Sequence, residues 1–311
     1  MSTARDSPHA AAASSFANRT VIVSGGTGKL GCVISAALAQ AGANVVVNDI
    51  KAEPTHALVQ SLTDQGYGAL AVIASATDGD SIVEQTIRRF GRIDAVINPT
   101  LGAIPWRPLE ELSDDDFRAA FEANTLGPLS LTRAAWPHFK AQKYGRVVNF
   151  TSDSILGFPT ASTYTMTKGA LFGVNKTLAL EGAAHGIKVN CVSPIAYHPN
   201  MERHIQHFSD DVQEAFKELY VPEANVPMVL ALASQGCTAS GEVFNTAGWA
   251  AGRYVWGVER GKSRLATVND CLDAMDEITR KGKEVFEPET MVDFTEFQAA
   301  YVLGKKYKPQ E

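Results

Sequence analysis

Short apolar runs alternate with amphipathic stretches along most of this chain. The pattern predicts seven strands, several of them continuously apolar and rich in β-branched residues, at Thr20–Ser24, Asn44–Asn48, Ala69–Ala74, Ala95–Asn98, Arg146–Phe150, Lys188–Val192 and Glu242–Thr246. Helical periodicity fills the gaps at Leu30–Ala41, Thr55–Gln65, Asp80–Phe90, Asp115–Lys140 and Ser162–His185. This alternation predicts an α/β fold with a doubly wound parallel seven-stranded sheet of the Rossmann type.

The alternation covers only part of the chain. We expect a single dinucleotide-binding and catalytic domain over residues 18–260, preceded by a disordered tail over 1–17 and followed by a C-terminal extension over 261–311. The tail is rich in Ala and Ser and lacks an apolar core, so it does not predict a secretory signal. The extension has a helical pattern near Val268–Lys281. The polar stretch Ile195–Tyr220 is predicted to hold a substrate-covering loop with short helices.

Composition narrows the class of protein. Of 311 residues, 45% are hydrophobic and 20% are charged, as in ordinary soluble globular proteins. The formal net charge of −6 gives no reason to expect nucleic acid or an anionic membrane as partner, and no apolar run is long enough to span a bilayer. The four cysteines are scattered, which favours a reducing compartment. We therefore expect a cytoplasmic protein, with the peroxisome or another organelle left open.

A glycine-rich segment, Ser24–Gly31, joins the first predicted strand directly to the first predicted helix. Its glycines allow a tight turn and a close backbone approach, so the pyrophosphate of a dinucleotide can sit on the N–H groups at the helix start. The candidate cofactor-binding residues of this segment are Gly25, Thr27, Gly28, Lys29, Leu30 and Gly31. A P-loop is excluded, because Leu30 stands where Ser or Thr would bind magnesium and Val23 stands where the first glycine should be.

An acidic residue, Asp49, ends the second predicted strand. A carboxylate at this position can accept both ribose hydroxyls of an adenosine and would repel a 2′-phosphate, so Asp49 favours NAD over NADP. Lys51 lies close enough to weaken that preference, and NADP stays open. The alternative for Asp49 is a simple role in a turn or as a helix N-cap.

Tyr164 and Lys168 are four residues apart in a predicted helix and therefore project from the same face. An ammonium beside a phenol favours the phenolate, so the Tyr could exchange a proton near neutral pH. A cluster of hydroxyl side chains, Thr151, Ser152 and Ser154, closes the preceding strand. The pair alone is a weak signal, but downstream of the glycine-rich turn it indicates the acid/base half of a hydride transfer.

These segments together resemble the short-chain dehydrogenase/reductase family over about Thr20–Trp256. The matching positions are the turn Ser24–Gly31, Asn98 in the family's Asn-Asn-Ala-Gly segment, Asn124 in Asn-Thr-Leu-Gly, the serine of Asn149–Ser152, and the Tyr164/Lys168 pair. The resemblance implies that Tyr164 is the general acid/base and that Lys168 lowers its pKa and holds the nicotinamide ribose. It also implies that Ser152 binds the substrate oxygen and that Asn124 holds a water.

Several segments are similar, more narrowly, to the (3R)-hydroxyacyl-CoA dehydrogenase part of peroxisomal multifunctional enzymes. They are Val45–Asp49, Thr132–Trp136, Gln142–Gly145, Leu178–Gly182 and Gly241–Arg260. This resemblance implies a small-molecule substrate with a secondary alcohol or ketone, such as a 3-hydroxyacyl thioester or another β-hydroxy carbonyl. It also implies a homodimer or homotetramer built on the two long predicted helices.

The sequence departs from the family pattern mainly on the cofactor side. Lys29 replaces the second glycine, Pro99-Thr100 replaces small residues, and Pro194-Ile195 replaces a Pro-Gly. By their positions in the sequence, Asn98, Pro194 and Ile195 still correspond to cofactor-binding residues of the family. The segment between the serine and the tyrosine is one residue short, which leaves Ser152 or Thr151 as the active hydroxyl, with Ser152 preferred. Two other functions therefore stay open, a redox-neutral epimerase or cyclase and a non-catalytic dinucleotide-binding relative.

Two further groups of residues receive structural interpretations. His198, His204 and His207 cluster, but no carboxylate or cysteine completes a metal site, so we expect a solvated or substrate-facing loop and no metal. Trp106 and Trp249 are expected in the core or at an interface, and the less favoured alternative is that they line the substrate pocket.

Overall fold

The computed structural model of the protein describes residues 16–102, 104–197, 206, 209–259, 267–280 and 285–302. The chain forms two compact units, Met1–Arg253 and Tyr254–Glu311. The first unit contains an eight-stranded sheet in the order β3-β2-β1-β4-β5-β6-β7-β8. Its strands are β1 (Thr20–Ser24), β2 (Asn44–Asp49), β3 (Ala69–Ile73), β4 (Ala95–Asn98), β5 (Gly145–Phe150), β6 (Ile187–Pro194), β7 (Val243–Ala247) and β8 (Ala250–Tyr254).

All neighbouring pairs from β3 to β7 are parallel. The seven predicted strands are confirmed, with ends that differ from the prediction by at most two residues. The strand order reverses between β1 and β4, and in open parallel sheets ligands bind outside the carboxyl ends of the strands at such a reversal. The doubly wound fold is therefore confirmed, and it places the glycine-rich turn at this reversal.

The predicted seven-strand count is wrong by one strand. β8 follows β7 after only Gly248 and Trp249, whose φ angles are +54° and +65°. Positive φ at both residues is what a two-residue hairpin turn of type I′ requires. The sequence pattern missed β8 because its side chains are largely exposed and show no apolar alternation.

Eight helices flank the sheet in the described part of the first unit: α1 (Lys29–Gln40), α2 (Ala52–Asp64), α3 (Gly79–Phe90), α4 (Asp114–Phe121), α5 (Gly127–Gln142), α6 (Ser162–Ala183), α7 (Asp210–Leu219) and α8 (Val226–Ala233). The helix predicted over Asp115–Lys140 is in fact two helices, because a π-helical segment, Glu122–Leu126, separates α4 from α5. Short 3₁₀ helices lie at Leu109–Glu111, Asp153–Leu156 and Pro222–Asn225.

The core lies on both faces of the sheet, since successive strand residues point to opposite sides. Val21 and Val23 pack on one face with residues of α1 and α8, and Ile22 packs on the other face with residues of α3 and α5. Phe16 is only 2% exposed and belongs to the first cluster, so it is part of the folded unit rather than of the predicted tail. Residues 1–15 of that predicted tail lie outside the described residues.

The second unit contains β9 (Val258–Glu259), α9 (Val268–Thr279), β10 (Val285–Phe286) and α10 (Met291–Val302). Helix α9 confirms the helix predicted near Val268–Lys281, and its start is capped by Thr267, which accepts from the N–H of Asp270. Within the ranges the structure covers, no helix in either unit is long and apolar enough to cross a membrane.

Candidate active site

The predicted proton-transfer residues meet at the carboxyl edge of the sheet. Ser152 is the second residue after β5, and Tyr164 and Lys168 lie on the first two turns of α6. Ser152 forms a side-chain hydrogen bond with the Tyr164 phenol, and the Lys168 ammonium lies 5.8 Å from the centroid of the Tyr164 ring. Residues 12 positions apart in the chain are thus brought into contact because α6 folds back over the end of β5.

Three effects act on the pKa of Tyr164. Burial raises the pKa of its phenol, the hydrogen bond with Ser152 opposes this rise, and the carboxylate of Asp153 adds to it. The net shift is upward because burial is the largest of these effects, and Lys168 is not among its causes, so the expected lowering of this pKa by Lys168 stays a prediction. Tyr164 is consequently protonated at neutral pH and is a proton donor there.

Lys168 is a buried cation. Its side chain is 3% exposed, and its ammonium donates to the Phe150 carbonyl oxygen at 2.9 Å. Burial lowers the pKa of Lys168 to about 8, against a small opposing effect of Cys191, and burial also raises the pKa of the Cys191 thiol to about 12. Among the described residues no carboxylate forms an ion pair with Lys168. A buried lysine without a counterion is costly and is typical of functional sites.

The two candidate hydroxyls have different partners. Thr151 is buried, and its hydroxyl donates to the Lys168 carbonyl oxygen at 2.9 Å, which joins the end of β5 to α6. Ser152 contacts the Tyr164 phenol and accepts from the Ser154 N–H at 3.2 Å. Ser152 is therefore the hydroxyl beside the proton donor, and Thr151 has a structural contact.

Asp153 is a charged residue of the site that sequence reasoning missed. One of its carboxylate oxygens accepts from the Ser193 hydroxyl at the end of β6, and the Asn245 amide of β7 donates to the same carboxylate at 3.3 and 3.4 Å. The carboxylate thereby connects the turn after β5 to the next two strands. No local pattern marks Asp153, because its partners are 40 and 92 residues away in sequence.

Asn124 lies in the π-helical segment and is fully buried. Its amide donates to the Ala120 carbonyl at 2.9 Å and accepts from the Gly102 N–H at 2.7 Å, which ties the loop after β4 to the helix. The neighbouring Thr125 donates to the Thr167 carbonyl of α6 at 3.1 Å. π-helical turns occur often at functional sites. The amide of Asn124 thus has protein partners, and its role in holding a water stays a prediction.

The glycine-rich turn is shaped for a close approach to an anion. A Cβ on Gly25 would lie 2.8 Å from the Thr100 Cα, and a Cβ on Gly31 would lie 2.2 Å from the Gly25 carbonyl oxygen. Gly28 caps α1 without a side-chain hydrogen bond, so the first N–H groups of the helix are available to a ligand. Lys29 is the first residue of α1 and is exposed. These residues fit the pyrophosphate of a dinucleotide.

The Asp49 carboxylate is attached to the glycine-rich turn. One oxygen accepts from the Thr27 N–H at 3.1 Å and from the Thr27 hydroxyl at 2.6 Å, and the other accepts from the Lys51 N–H at 3.2 Å. These bonds confirm a role in a turn, and the binding of ribose hydroxyls by Asp49 stays a prediction. Asp49 stabilises a turn, and it also lies beside the expected position of the pyrophosphate.

Other predicted cofactor residues are built into the sheet. Asn98 is fully buried and donates to the Asn149 side chain at 2.9 Å, so its amide points into the sheet rather than to the crevice. Pro194 ends β6, and the next residue, Ile195, donates to the Thr246 carbonyl at 2.8 Å and accepts from the Asn225 amide at 3.1 Å. Their direct role with a cofactor stays a prediction.

The expected core position of the two tryptophans is wrong, and their position at an interface stays a prediction. Trp106 is 51% exposed, and its ring centroid lies 5.4 Å from that of Tyr164 and 6.0 Å from that of Phe158. Trp249 is also exposed and lies in the turn between β7 and β8. The sequence signal that could have found Trp106 is its place in the loop after β4, at the edge where sites form in this fold.

The three predicted loop histidines, His198, His204 and His207, lie outside the described residues. Within the described ranges, no group of three His, Cys, Asp or Glu residues could hold a metal ion.

Comparisons with known proteins agree with this geometry. A sequence profile of the short chain dehydrogenase family matches residues 19–210. The peroxisomal hydratase-dehydrogenase-epimerase of Neurospora crassa is 37% identical over 220 residues, which are 70% of this chain and 24% of that protein. The chain is therefore similar to about a quarter of that multifunctional protein.

Solved structures show the same fold. Full-length peroxisomal multifunctional enzyme type 2 from Drosophila melanogaster superposes with a TM-score of 0.78 at 22% identity, over 93% of this chain and 50% of that one. NAD+-bound xylitol dehydrogenase superposes with a TM-score of 0.67 at 25% identity, over 75% of this chain and 99% of that one. The resemblance inferred from the sequence is confirmed, and the chain belongs to the short chain dehydrogenase family.

Proposed function

We propose that this protein is an NAD(P)-dependent oxidoreductase that interconverts a secondary alcohol and a ketone. The observation that supports this most directly is the hydrogen-bonded pair of Ser152 and Tyr164 beside the buried Lys168 ammonium. The glycine-rich turn at the same edge of the sheet provides the place for a dinucleotide. Membership of the short chain dehydrogenase family agrees with both parts of the site.

The protein residues would act on the substrate oxygen. When bound, the nicotinamide supplies or accepts the hydride. Ser152 and Tyr164 hold the carbonyl oxygen by hydrogen bonds, and Tyr164 gives it a proton during reduction or removes one during oxidation. Because the pKa of Tyr164 is raised, the phenol carries its proton at neutral pH and can donate it during reduction. Oxidation requires the deprotonated phenol and should accelerate as the pH rises.

The substitution that tests this proposal is Tyr164→Phe. We expect kcat to fall by about 10³-fold, because the proton donor is lost, while the dissociation constant of NADH stays the same. Tyr67→Phe is the control, since Tyr67 precedes β3 at the opposite edge of the sheet, and it should keep full turnover. Full activity of Tyr164→Phe would contradict the proposal.

Two other results would identify the competing functions. Product formation without any net change in NADH would indicate a redox-neutral epimerase or cyclase. If neither NADH nor NADPH binds, the protein is a non-catalytic relative. The departures from the family pattern at Lys29 and Pro99-Thr100 are the reason for considering this function. Titration of tryptophan fluorescence with each nucleotide measures the second outcome directly.

We propose NAD as the preferred cofactor. Asp49 supports this, because a carboxylate held beside the glycine-rich turn repels a 2′-phosphate. Replacing it in Asp49→Ser should bring the dissociation constants of NADH and NADPH closer together, mainly by tightening NADPH. Equal affinities of the unaltered protein for the two nucleotides would contradict this preference.

We propose a 3-hydroxyacyl thioester or another β-hydroxy carbonyl as the substrate class. The resemblance to multifunctional enzymes supports this class of substrate.

We propose a homo-oligomer as the working form of the protein. A groove between α5 and α6, lined by Leu129, Trp136 and Leu178, supports an interface at this surface. Light scattering of the protein and of a Trp136→Arg variant tests the oligomer, and loss of the oligomer in the variant is the expected result.

A further inference from the structure

An aromatic corner, formed by Trp106 and Phe158, lies directly beside the proton donor. The Trp106 ring is inclined by 44° to the Tyr164 ring at 5.4 Å, and it meets the Phe158 ring edge-to-face, at 88° and 6.0 Å. Trp106 is 51% exposed and Phe158 is 39% exposed. Both rings are therefore partly exposed near Tyr164, and the mechanism proposed above uses neither of them.

The backbone around Trp106 is anchored on both sides. Thr163 of α6 donates to the Pro105 carbonyl at 3.4 Å. Arg107 donates to the Glu111 carbonyl at 3.2 Å and forms an ion pair with Asp116 of α4 at 2.9 Å. These contacts anchor the residues on both sides of Trp106 to α4 and α6.

Arg107, the charged residue next to Trp106, forms an ion pair away from the two rings. Arg107 is bound to the Asp116 carboxylate, so the exposed faces of Trp106 and Phe158 offer apolar and aromatic surface. Grouped exposed aromatic side chains beside a reactive group mark a ligand subsite. Aromatic rings bind one another with centroids about 4.5 to 7 Å apart, in tilted or edge-to-face arrangements.

We propose that Trp106 and Phe158 form a subsite for a planar aromatic group on the reacting carbon of the substrate. This rests on the proposed function, since Tyr164 defines where the reacting oxygen lies. Because Trp106 contacts the Tyr164 ring itself, a group stacked on the indole is attached close to the reacting carbon rather than at a distant end of the substrate. The preferred substrates are aryl ketones and the matching aryl carbinols.

The first test measures binding, which does not depend on turnover. Isothermal titration of the full chain with acetophenone should give a dissociation constant about tenfold higher for Trp106→Leu than for the unaltered protein, because a ring-on-ring contact is lost. Trp106→Phe keeps an aromatic face and should stay within about threefold. Phe158→Leu should weaken binding in the same direction, and it keeps the test valid if Trp106→Leu fails to fold. Equal dissociation constants for the unaltered protein and both leucine variants would overturn the proposal.

The second test separates the subsite from the reaction. Reduction of ethyl benzoylacetate is compared with reduction of ethyl acetoacetate, using NADH and NADPH in turn. The expected result is that Trp106→Leu lowers kcat/KM for the aryl ester by about tenfold and leaves that for the alkyl ester nearly unchanged. Equal losses for both esters would overturn the subsite and leave the proposed function standing. Acetophenone binding that depends on Trp106, without reduction of either ester, would support the subsite and contradict the proposed function.

Discussion

The proton-transfer region and the glycine-rich turn lie at the same edge of the sheet but are built differently. Lys168 is buried among β5, β6 and α6, and Asp153 adds a contact with β7 through Asn245. The turn is made almost entirely by the contiguous residues Ser24–Gly31, and part of it, including Lys29, is exposed. A shifted pKa needs burial and therefore many chain segments, whereas anion binding needs only the N–H groups at one helix start.

This difference explains where the sequence departs from the family pattern. Lys29 replaces a glycine at an exposed position, where a side chain can point into solvent. Gly25 and Gly31 are retained at positions where a Cβ would collide with backbone atoms. Substitution has therefore occurred where there is room, and the geometry of the turn is preserved.

Among these variants, Lys168→Met in the proton-transfer region should have the largest effect, because activity and stability should change in opposite directions. Activity should fall by about 10³-fold, while the free energy of unfolding at pH 7 should rise by about 2 kcal/mol, because a buried charge is removed. Lys168 has a folded-state pKa of about 8, below its usual 10.5, so its charge destabilises the fold below pH 8 and this penalty disappears as pH rises toward 10.5. Denaturant unfolding at several pH values measures the effect. A variant that is less stable at pH 7 would contradict this assignment of a costly buried charge.

In the glycine-rich turn, Gly31→Ala should lower the stability of the protein, in contrast to the gain expected for Lys168→Met. The added Cβ would lie 2.2 Å from the Gly25 carbonyl oxygen, so we expect a loss of about 2 kcal/mol in stability and a strong loss of NADH affinity. Gly173→Ala on α6 is the matched control, because its Cβ meets nothing within 4 Å and it should stabilise the helix by about 0.5 kcal/mol. Thermal unfolding and nucleotide titration of both variants make the comparison. Unchanged NADH binding in Gly31→Ala would exclude a close backbone approach.

A smaller effect is expected for Asp153→Asn. The Asp153 carboxylate raises the pKa of Tyr164, so removing its charge should lower that pKa. The acidic limb of the profile of kcat/KM against pH for alcohol oxidation should then move to lower pH, by about half a unit. The amide can still accept from Ser193, so the turn should keep its position. A limb that stays in place would show that Asp153 acts only as a structural contact.

The smallest effect is expected for Lys29→Gly. Lys29 is exposed at the start of α1, where its charge is largely screened, so NADH affinity should fall only about two- to threefold at low salt. The difference should disappear at high salt, which distinguishes an electrostatic contact from a change in the shape of the turn. An increase in affinity would instead mean that the lysine side chain hinders the cofactor.

The alternation of apolar strands and amphipathic helices was sufficient to predict the fold, since burial on both faces of a parallel sheet requires that pattern. The glycine-rich turn and the Tyr164/Lys168 spacing were equally visible, because each depends on residues close together in sequence. The exposed strand β8 and the π-helical break at Glu122–Leu126 were not visible, since neither changes the apolar pattern.

The chain by itself therefore determined the strand order along the sequence, the place of the turn and the identity of the acid/base pair. Only the tertiary structure decided how those groups behave. It placed Asp153 against β6 and β7, brought the Trp106 ring to Tyr164, and buried Lys168 deeply enough to lower its pKa. The physical reason is that these effects depend on distance and solvent exclusion between segments far apart in sequence, which no local pattern records.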